Sequence, residues 1–335
     1  MYFKISFPLK KIYLIFLLLI FSGTSLFSQL SKTHYIPPVI GPTSESGPGA
    51  QILYISTPSK TPVNFTVRNG GVIGTTASSG TIYESGQVSN NNPYEVLIAS
   101  QPAKNSAGQA IQANNAWTDM FLKPSEVEIP LNKGFVIEAD SEIYVSYRFY
   151  SNNESQAAAI VSKGISGVGK KFRPGMFLNR SGQGHMGFVS VMATENNTTI
   201  NFELPTARQT TGGQGDHSIV LDKYQSYIIA NDASQLSLIG TLVTSDKPIA
   251  VNTGSYGTNY LTGGQDYGMD QIVDASLLGS EYILIKGIAV DQIETALVIA
   301  DQSNTELYVN GNFYQSLNNP GDFALIKGDY FNSDG

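Results

Sequence analysis

The sequence predicts an all-β fold made of repeated antiparallel units, and three observations carry that expectation. Apolar and polar residues alternate with period 2, turn signals separate the alternating runs, and no run of about 11 residues beyond the N-terminus has helical spacing. Val63, Phe65 and Val67 alternate with Asn64 and Thr66. Ile143, Val145, Tyr147 and Phe149 alternate with Glu142, Tyr144, Ser146 and Arg148, and Ile200, Phe202 and Leu204 with Asn201 and Glu203. Each run puts one face on a core and the other in water. Asn69-Gly70-Gly71, Asn196-Asn197 and Asn310-Gly311 read as turns. The last lies between Leu307-Tyr308-Val309 and Phe313-Tyr314 and marks a hairpin, because Asn-Gly accepts φ > 0 at both central positions.

Composition supports a folded, exported protein. The 41% apolar content is enough for a core, while charged residues reach only 14%, with Gly, Ser, Thr and Asn in their place. Twenty basic against 27 acidic side chains argue against nucleic-acid binding, which needs a basic face. With no cysteine there is no disulfide framework, thiol nucleophile or Cys-based metal site.

Residues 1–28 read as a secretory signal peptide: Lys4, Lys10 and Lys11 precede the apolar run Ile12–Phe21, which is shorter than the ~20 residues of a membrane span. Cleavage is expected before Gln29, with no spanning segment left afterwards. Residues 29–50, with Pro37, Pro38, Pro42 and Pro48, read as a Pro/Gly-rich linker, and His34 falls within it.

Residues 51–335 then form a repeat domain. Thr198 and Thr305 occupy matching strand–turn–strand segments, Gly134–Val145 parallels Gly240–Val251, and Gly169-Lys-Lys-Phe parallels Gly279-Ser-Glu-Tyr, all at offsets near 105–110. Units of about 105 residues must stack or close radially to bury their second faces. A β-propeller-like array is the first expectation and tandem β-sandwiches the alternative. Nothing matching Gly240–Val251 occurs in the third unit, so a truncated third unit with an open sheet edge is expected.

Candidate chemistry is sparse. Gly182-Gln-Gly-His-Met-Gly187 matches G-x-G-x-x-G, but a phosphate cradle needs a following helix and Phe188–Ala193 read as strand. His34, His185 and His217 stand in no metal spacing, and no G-x-S-x-G is present. Asp266, Asp270 and Asp274 form the densest acidic cluster; Ca²⁺ is conceivable there, but solvated loop acids are favoured. Tyr256, Tyr260 and Tyr267 could form a sugar platform, against ordinary packing, which is favoured. No residue is assigned as catalytic, cofactor-binding or metal-ligating, no cofactor is implied, and ligand-binding residues stay unassigned.

Thr241-Leu-Val-Thr-Ser-Asp-Lys-Pro-Ile-Ala-Val-Asn-Thr-Gly-Ser, with Leu221–Tyr227 before it, Thr194-Glu-Asn-Asn-Thr-Thr-Ile, and Met269–Tyr282 together resemble the IgGFc-binding protein N-terminal domain family. The resemblance covers roughly Phe135 to Tyr330. It implies an extracellular, non-enzymatic binding domain of a secreted or surface protein, in bacteria often in gliding species that use type IX secretion. Its motif is structural: Lys247-Pro248 is expected to shape the start of a strand and Gly254 to permit a turn. The expected function is a non-catalytic adhesion module for an extracellular protein or glycan. The alternatives are a spacer displaying a distal domain, or an accessory part of a secreted carbohydrate-active enzyme.

Overall fold

The protein is described by a computed structural model covering residues 29–41, 47–69, 80–100, 117–151, 156–176, 186–205, 210–232, 238–258, 266–285 and 294–330. Among these residues the fold is all-β, and helix is confined to four short 3₁₀ turns. The strands are β1 (Ser31–Ile36), β2 (Val39–Ile40), β3 (Pro48–Ser56), β4 (Val63–Asn69), β5 (Ile82–Val88), β6 (Tyr94–Ala99), β7 (Phe121–Leu122), β8 (Phe135–Ser151) and β9 (Ala157–Val161). They continue with β10 (Val168–Phe172), β11 (Met186–Ala193), β12 (Thr198–Glu203), β13 (His217–Leu221), β14 (Ser226–Asp232), β15 (Leu242–Thr258) and β16 (Asp266–Ile272). A third group holds β17 (Thr295–Ile299), β18 (Thr305–Val309), β19 (Asn312–Leu317) and β20 (Phe323–Lys327).

The first two groups have one topology. The order β5-β4-β8-β3-β6, with β1 and β9 also on β8, matches β13-β12-β15-β11-β14, with β10 and β16 also on β15. Both central strands are 17 residues long and pair with different neighbours along their two halves. The first half of β8 lies between β1 and β4 and its second half between β3 and β9. β15 does the same with β10 and β12, then β11 and β16. Each unit is therefore two half-sheets sharing one long strand. The central strands begin 107 positions apart (135 and 242), close to the repeat read in the sequence. Their first inner strands, β3 and β11, begin 138 apart (48 and 186), because residues 100–134 separate β6 from β8 and only 233–241 separate β14 from β15.

The half-sheet built on β11 buries both faces by passing one of them to the first unit. All eight residues of β11 are buried. Val189, Val191 and Ala193 lie in their own unit's core with Ile200, Phe202 and Val243. Met186 and Phe188, on the opposite face, join the first unit's core with Leu53, Tyr147 and Phe149. Leu297, Ile299 and Phe323 pack in turn on the second unit's core. Lys171 and Arg173 of the second unit clasp Asp301 of the third at 2.7 and 3.1 Å.

A buried polar seam ties the first two units. Gln271 of β16 donates to Tyr35 O (2.6 Å) and accepts from Lys163 N (2.7 Å), while Asn252 of β15 donates to Pro37 O (2.6 Å). His34 is fully buried beside them. Its Nε2 faces the carbonyls of Ile143 (2.9 Å) and Ser31 (3.1 Å), so it carries the proton, and Nδ1 accepts from the Ser162 hydroxyl at 2.9 Å.

Three expectations need correction. The stretch read as a linker contributes β1, β2 and the start of β3 to the first unit, and His34 is a buried strand residue. Among the described residues its prolines stand where no ladder N–H is needed: Pro37-Pro38 between β1 and β2, Pro48 at a strand start. Lys247-Pro248 lies within β15, between the half paired with β12 and the half paired with β11. Gly254 makes no turn; it sits opposite Met269 in the ladder, where a Cβ would meet Gly268 O at 2.5 Å and Met269 Cα at 2.7 Å. Backbone atoms cannot step aside cheaply, so Gly254→Ala is expected to lower stability by about 2 kcal/mol, read as a lower urea midpoint at unchanged slope.

Candidate binding surface

The outward face of β6-β3-β8-β9 has no covering layer among the described residues and carries large apolar side chains, and the pleat sets its members. Because Leu53 and Ile55 point inward, Ile52 and Tyr54 point outward, and the ladder lines them up with Leu97, Arg148 and Ser146. Leu97 is 56% exposed, Tyr150 41%, Tyr144 40% and Val161 37%. The Arg148 guanidinium lies 4.8 Å from the Tyr54 ring centroid, a cation–π contact that holds the arginine flat on the sheet. Glu95 stands opposite Tyr54 at the β6 edge. Strand alternation predicted that Tyr144 and Arg148 face outward. It could not show that the neighbouring strands add Leu97, Tyr54 and Val161 to one surface, since that depends on pairing between segments far apart in sequence.

The same face in the second unit is covered. Met186 and Phe188 of β11, Ile228 and Ala230 of β14, Tyr256 of β15 and Tyr267 of β16 are the residues it sends into the first unit's core. Tyr256 and Tyr267, weighed as a sugar platform, are therefore packing residues: their rings lie 4.5 Å apart, with Tyr267 5.2 Å from Phe149. Burial first, then the neighbouring Tyr256, pushes the Tyr267 hydroxyl far above the usual tyrosine range. Tyr260 lies outside the described residues.

The acidic cluster is spread along β16 and past its end, and its carboxylates serve backbone and lysine groups. Asp266 accepts from Ala157 N at 2.7 Å, Asp270 pairs with Lys163 at 3.1 Å, and Asp274 accepts from Lys170 N, Lys171 N and Ser276 N. Partial burial alone would raise the Asp274 pKa, but these N–H donors hold it below the ordinary value. Among the described residues no three His, Asp or Glu side chains converge as metal ligands. His217 opens β13, stacks on Phe202 at 5.1 Å and bonds Gly215 O at 2.8 Å; it is a packed ring near the Tyr227 hydroxyl. His185 and residues 182–185 of the glycine motif lie outside the described residues, while Gly187 is inside β11, so strand follows the motif.

The family model described as IgGFc binding protein matches residues 157–334, just over half of the chain. The chain belongs to the IgGFc-binding protein family. The matched segment opens at β9, the last strand of the first unit, and runs through the whole second unit into the third. The family segment thus holds the β15 ladder, including Gly254 and Lys247-Pro248, and the Gln271 side of the seam. No curated protein and no solved structure matches the chain. Among the described residues no helix is long and apolar enough to cross a membrane.

Proposed function

We propose that this chain is a non-catalytic, extracellular binding module, exported by the signal peptide read at residues 1–28, and that it holds a protein partner on the outward face of β6-β3-β8-β9. The observation that carries this reading is the exposed face itself. It presents Leu97, Ile52, Val161, three tyrosines and an arginine on rigid strands, and the equivalent face of the second unit is a docking face against a neighbour. Tyr, Arg and a central apolar patch are what protein interfaces concentrate. A glycan platform would need flat rings flanked by several polar hydrogen-bonding groups, and the aliphatic Leu97, Ile52 and Val161 supply none. Family membership supports binding as the role.

Size sets the expected strength. Four strands about 4.8 Å apart and some 20 Å long present roughly 400 Å², half of the ~800 Å² per partner in a standard interface. A single copy should bind weakly, and avidity would make attachment firm.

The test is attachment of the labelled protein to intact producing cells and to their extracellular material. Leu97→Glu combined with Tyr54→Ala is expected to reduce attachment at least about tenfold, with an unchanged unfolding midpoint because both side chains point away from the core. Attachment that survives the double substitution would point to a spacer role instead. Loss of attachment on digesting surface polysaccharide, but not protein, would move the ligand class to glycan.

A further inference from the structure

Three arginines fall among the described residues, and two of them have a carboxylate of their own. Arg68 Nε lies 2.9 Å from Glu138 Oε2, and Arg173 Nε lies 3.1 Å from Asp301 Oδ1. Arg148 is the third. It is exposed, no carboxylate among the described residues pairs with it, and its guanidinium rests 4.8 Å from the Tyr54 ring centroid. The chain carries 27 acidic against 20 basic side chains, so the cause is position and not a shortage of acids. Glu95, an acid on the same face, belongs to β6, whereas Arg148 belongs to β8 on the other side of β3. Two strand spacings, ~10 Å, separate their backbones.

The second unit shows what the same row holds when the chain itself covers it. Asp140 accepts from Asn64 N and Asp246 from Thr199 N, each donor the second residue of its strand, so the two aspartates mark equivalent points of β8 and β15. Arg148 and Gly254 both lie eight positions further on. Across the sheet the open row reads Leu97, Ile52, Arg148, and the covered row reads Ala230, Phe188, Gly254. Ala230 and Phe188 are buried in the first unit's core. The face that docks within the chain is uncharged along this row, and the open face carries a guanidinium there. A cover that left that guanidinium unpaired would be opposed by its lost hydration.

We propose that the partner is a protein segment that sets an Asp or Glu carboxylate on Arg148, with apolar residues on either side of it. This rests on the reading of the β6-β3-β8-β9 face as a protein-binding surface. The guanidinium is a planar fork whose paired N–H groups match the two oxygens of a carboxylate. Stacking on Tyr54 holds that fork in place before binding, so less side-chain freedom is lost when the contact forms. Its neighbours in the ladder are Ile52 on one side and Ala159 on the other, with Leu97 beyond Ile52. A partner seated on these apolar groups would exclude water from the ion pair and strengthen it. Val161, opposite Ser146, extends the apolar surface past the arginine. The segment that fits is therefore acidic at its centre and apolar at its flanks.

The test crosses two changes, one on each side of the contact. Arg148→Gln and Arg148→Lys alter the protein. The extracellular material of producing cells is altered separately, by converting its carboxyl groups to amides with a carbodiimide and ethanolamine. Arg148→Gln is expected to reduce attachment at least about tenfold with little change in the unfolding midpoint. Arg148→Lys should recover only a small part, because an ammonium keeps the charge without the paired donors. Amidated material should hold the unsubstituted protein no better than untreated material holds Arg148→Gln, and the Gln variant should lose little more on it. Full attachment of Arg148→Gln, with attachment lost in the Leu97→Glu, Tyr54→Ala protein, would overturn the carboxylate and leave the face standing. Attachment untouched by either set of substitutions would remove the face as well. Attachment that survives amidation would put a different anion on Arg148, and carboxylate-dependent attachment lost on digesting polysaccharide would put the carboxylate on a sugar acid. Either result overturns the proposal.

Discussion

Gln271→Leu is expected to lower stability by on the order of 3 kcal/mol, although leucine nearly matches the volume it replaces. The side chain is 1% exposed and bridges the two units through both ends of its amide. Leucine would leave Lys163 N without its acceptor and Tyr35 O without its donor, and Asn252 Oδ1 would lose its contact at 3.3 Å. Each buried polar group stripped of its partner costs about 1–3 kcal/mol, whereas the new apolar contact recovers only part of that. Gln271→Glu is expected to be at least as harmful, because a carboxylate cannot donate to Tyr35 O. Urea unfolding gives the sizes. Hydrogen exchange should localise the loosening to β1 and the segment after β9, the first-unit side of the seam, while β18 and β19 stay unchanged.

Acid should weaken the same seam through His34. Burial drives its pKa down from 6.5 to about 4, against the opposing pull of the Ile143 and Ser31 carbonyls. The unfolded chain therefore binds a proton that the folded chain resists, and stability falls as pH drops. This contribution is complete above pH 6.5, is lost progressively as pH falls toward 4, and totals about 3 kcal/mol. Protonating Nδ1 would also reverse the Ser162 contact, so that the hydroxyl, 3.2 Å from Gln271 Oε1, would accept from the imidazolium and turn its own proton to that oxygen. Urea midpoints at pH 7.5 and 4.5 measure the effect. Carboxylates titrate over the same range, so His34→Asn is the reference: it should be less stable at pH 7.5 and show a smaller loss on acidification. An identical loss in both proteins would remove His34 from the account.

Much of the sheet was legible because period-2 alternation and burial share a cause. Val63, Phe65 and Val67 are all at most 2% exposed, as are Ile143, Val145, Tyr147 and Phe149. The Asn-Gly hairpin also follows from local chemistry: Asn310 and Gly311 have φ of 51° and 77°, and the flanking strands are β18 and β19. Prolines misled where they mark strand ends rather than linkers, which hid β1 and turned His34 into a loop residue. The full length of the long strands was not legible: Asp140-Ser141-Glu142 and Asp246-Lys247-Pro248 interrupt the apolar alternation, yet the backbone stays extended while its partners change. The proposed binding surface was the least legible feature. Leu97, Tyr54 and Arg148 come from three strands separated in sequence, and only the ladder register brings them onto one face.

Hydroxyl-radical footprinting of the protein, free and attached to the extracellular material of producing cells, tests the proposed binding surface most directly. If the β6-β3-β8-β9 face is where a partner sits, Tyr144, Tyr150, Tyr54 and Leu97 will lose most of their labelling on attachment, while Tyr308 and Phe313, both 58% exposed and away from that face, keep theirs. Undiminished labelling of Tyr144 and Tyr150 in the attached protein would contradict the assignment.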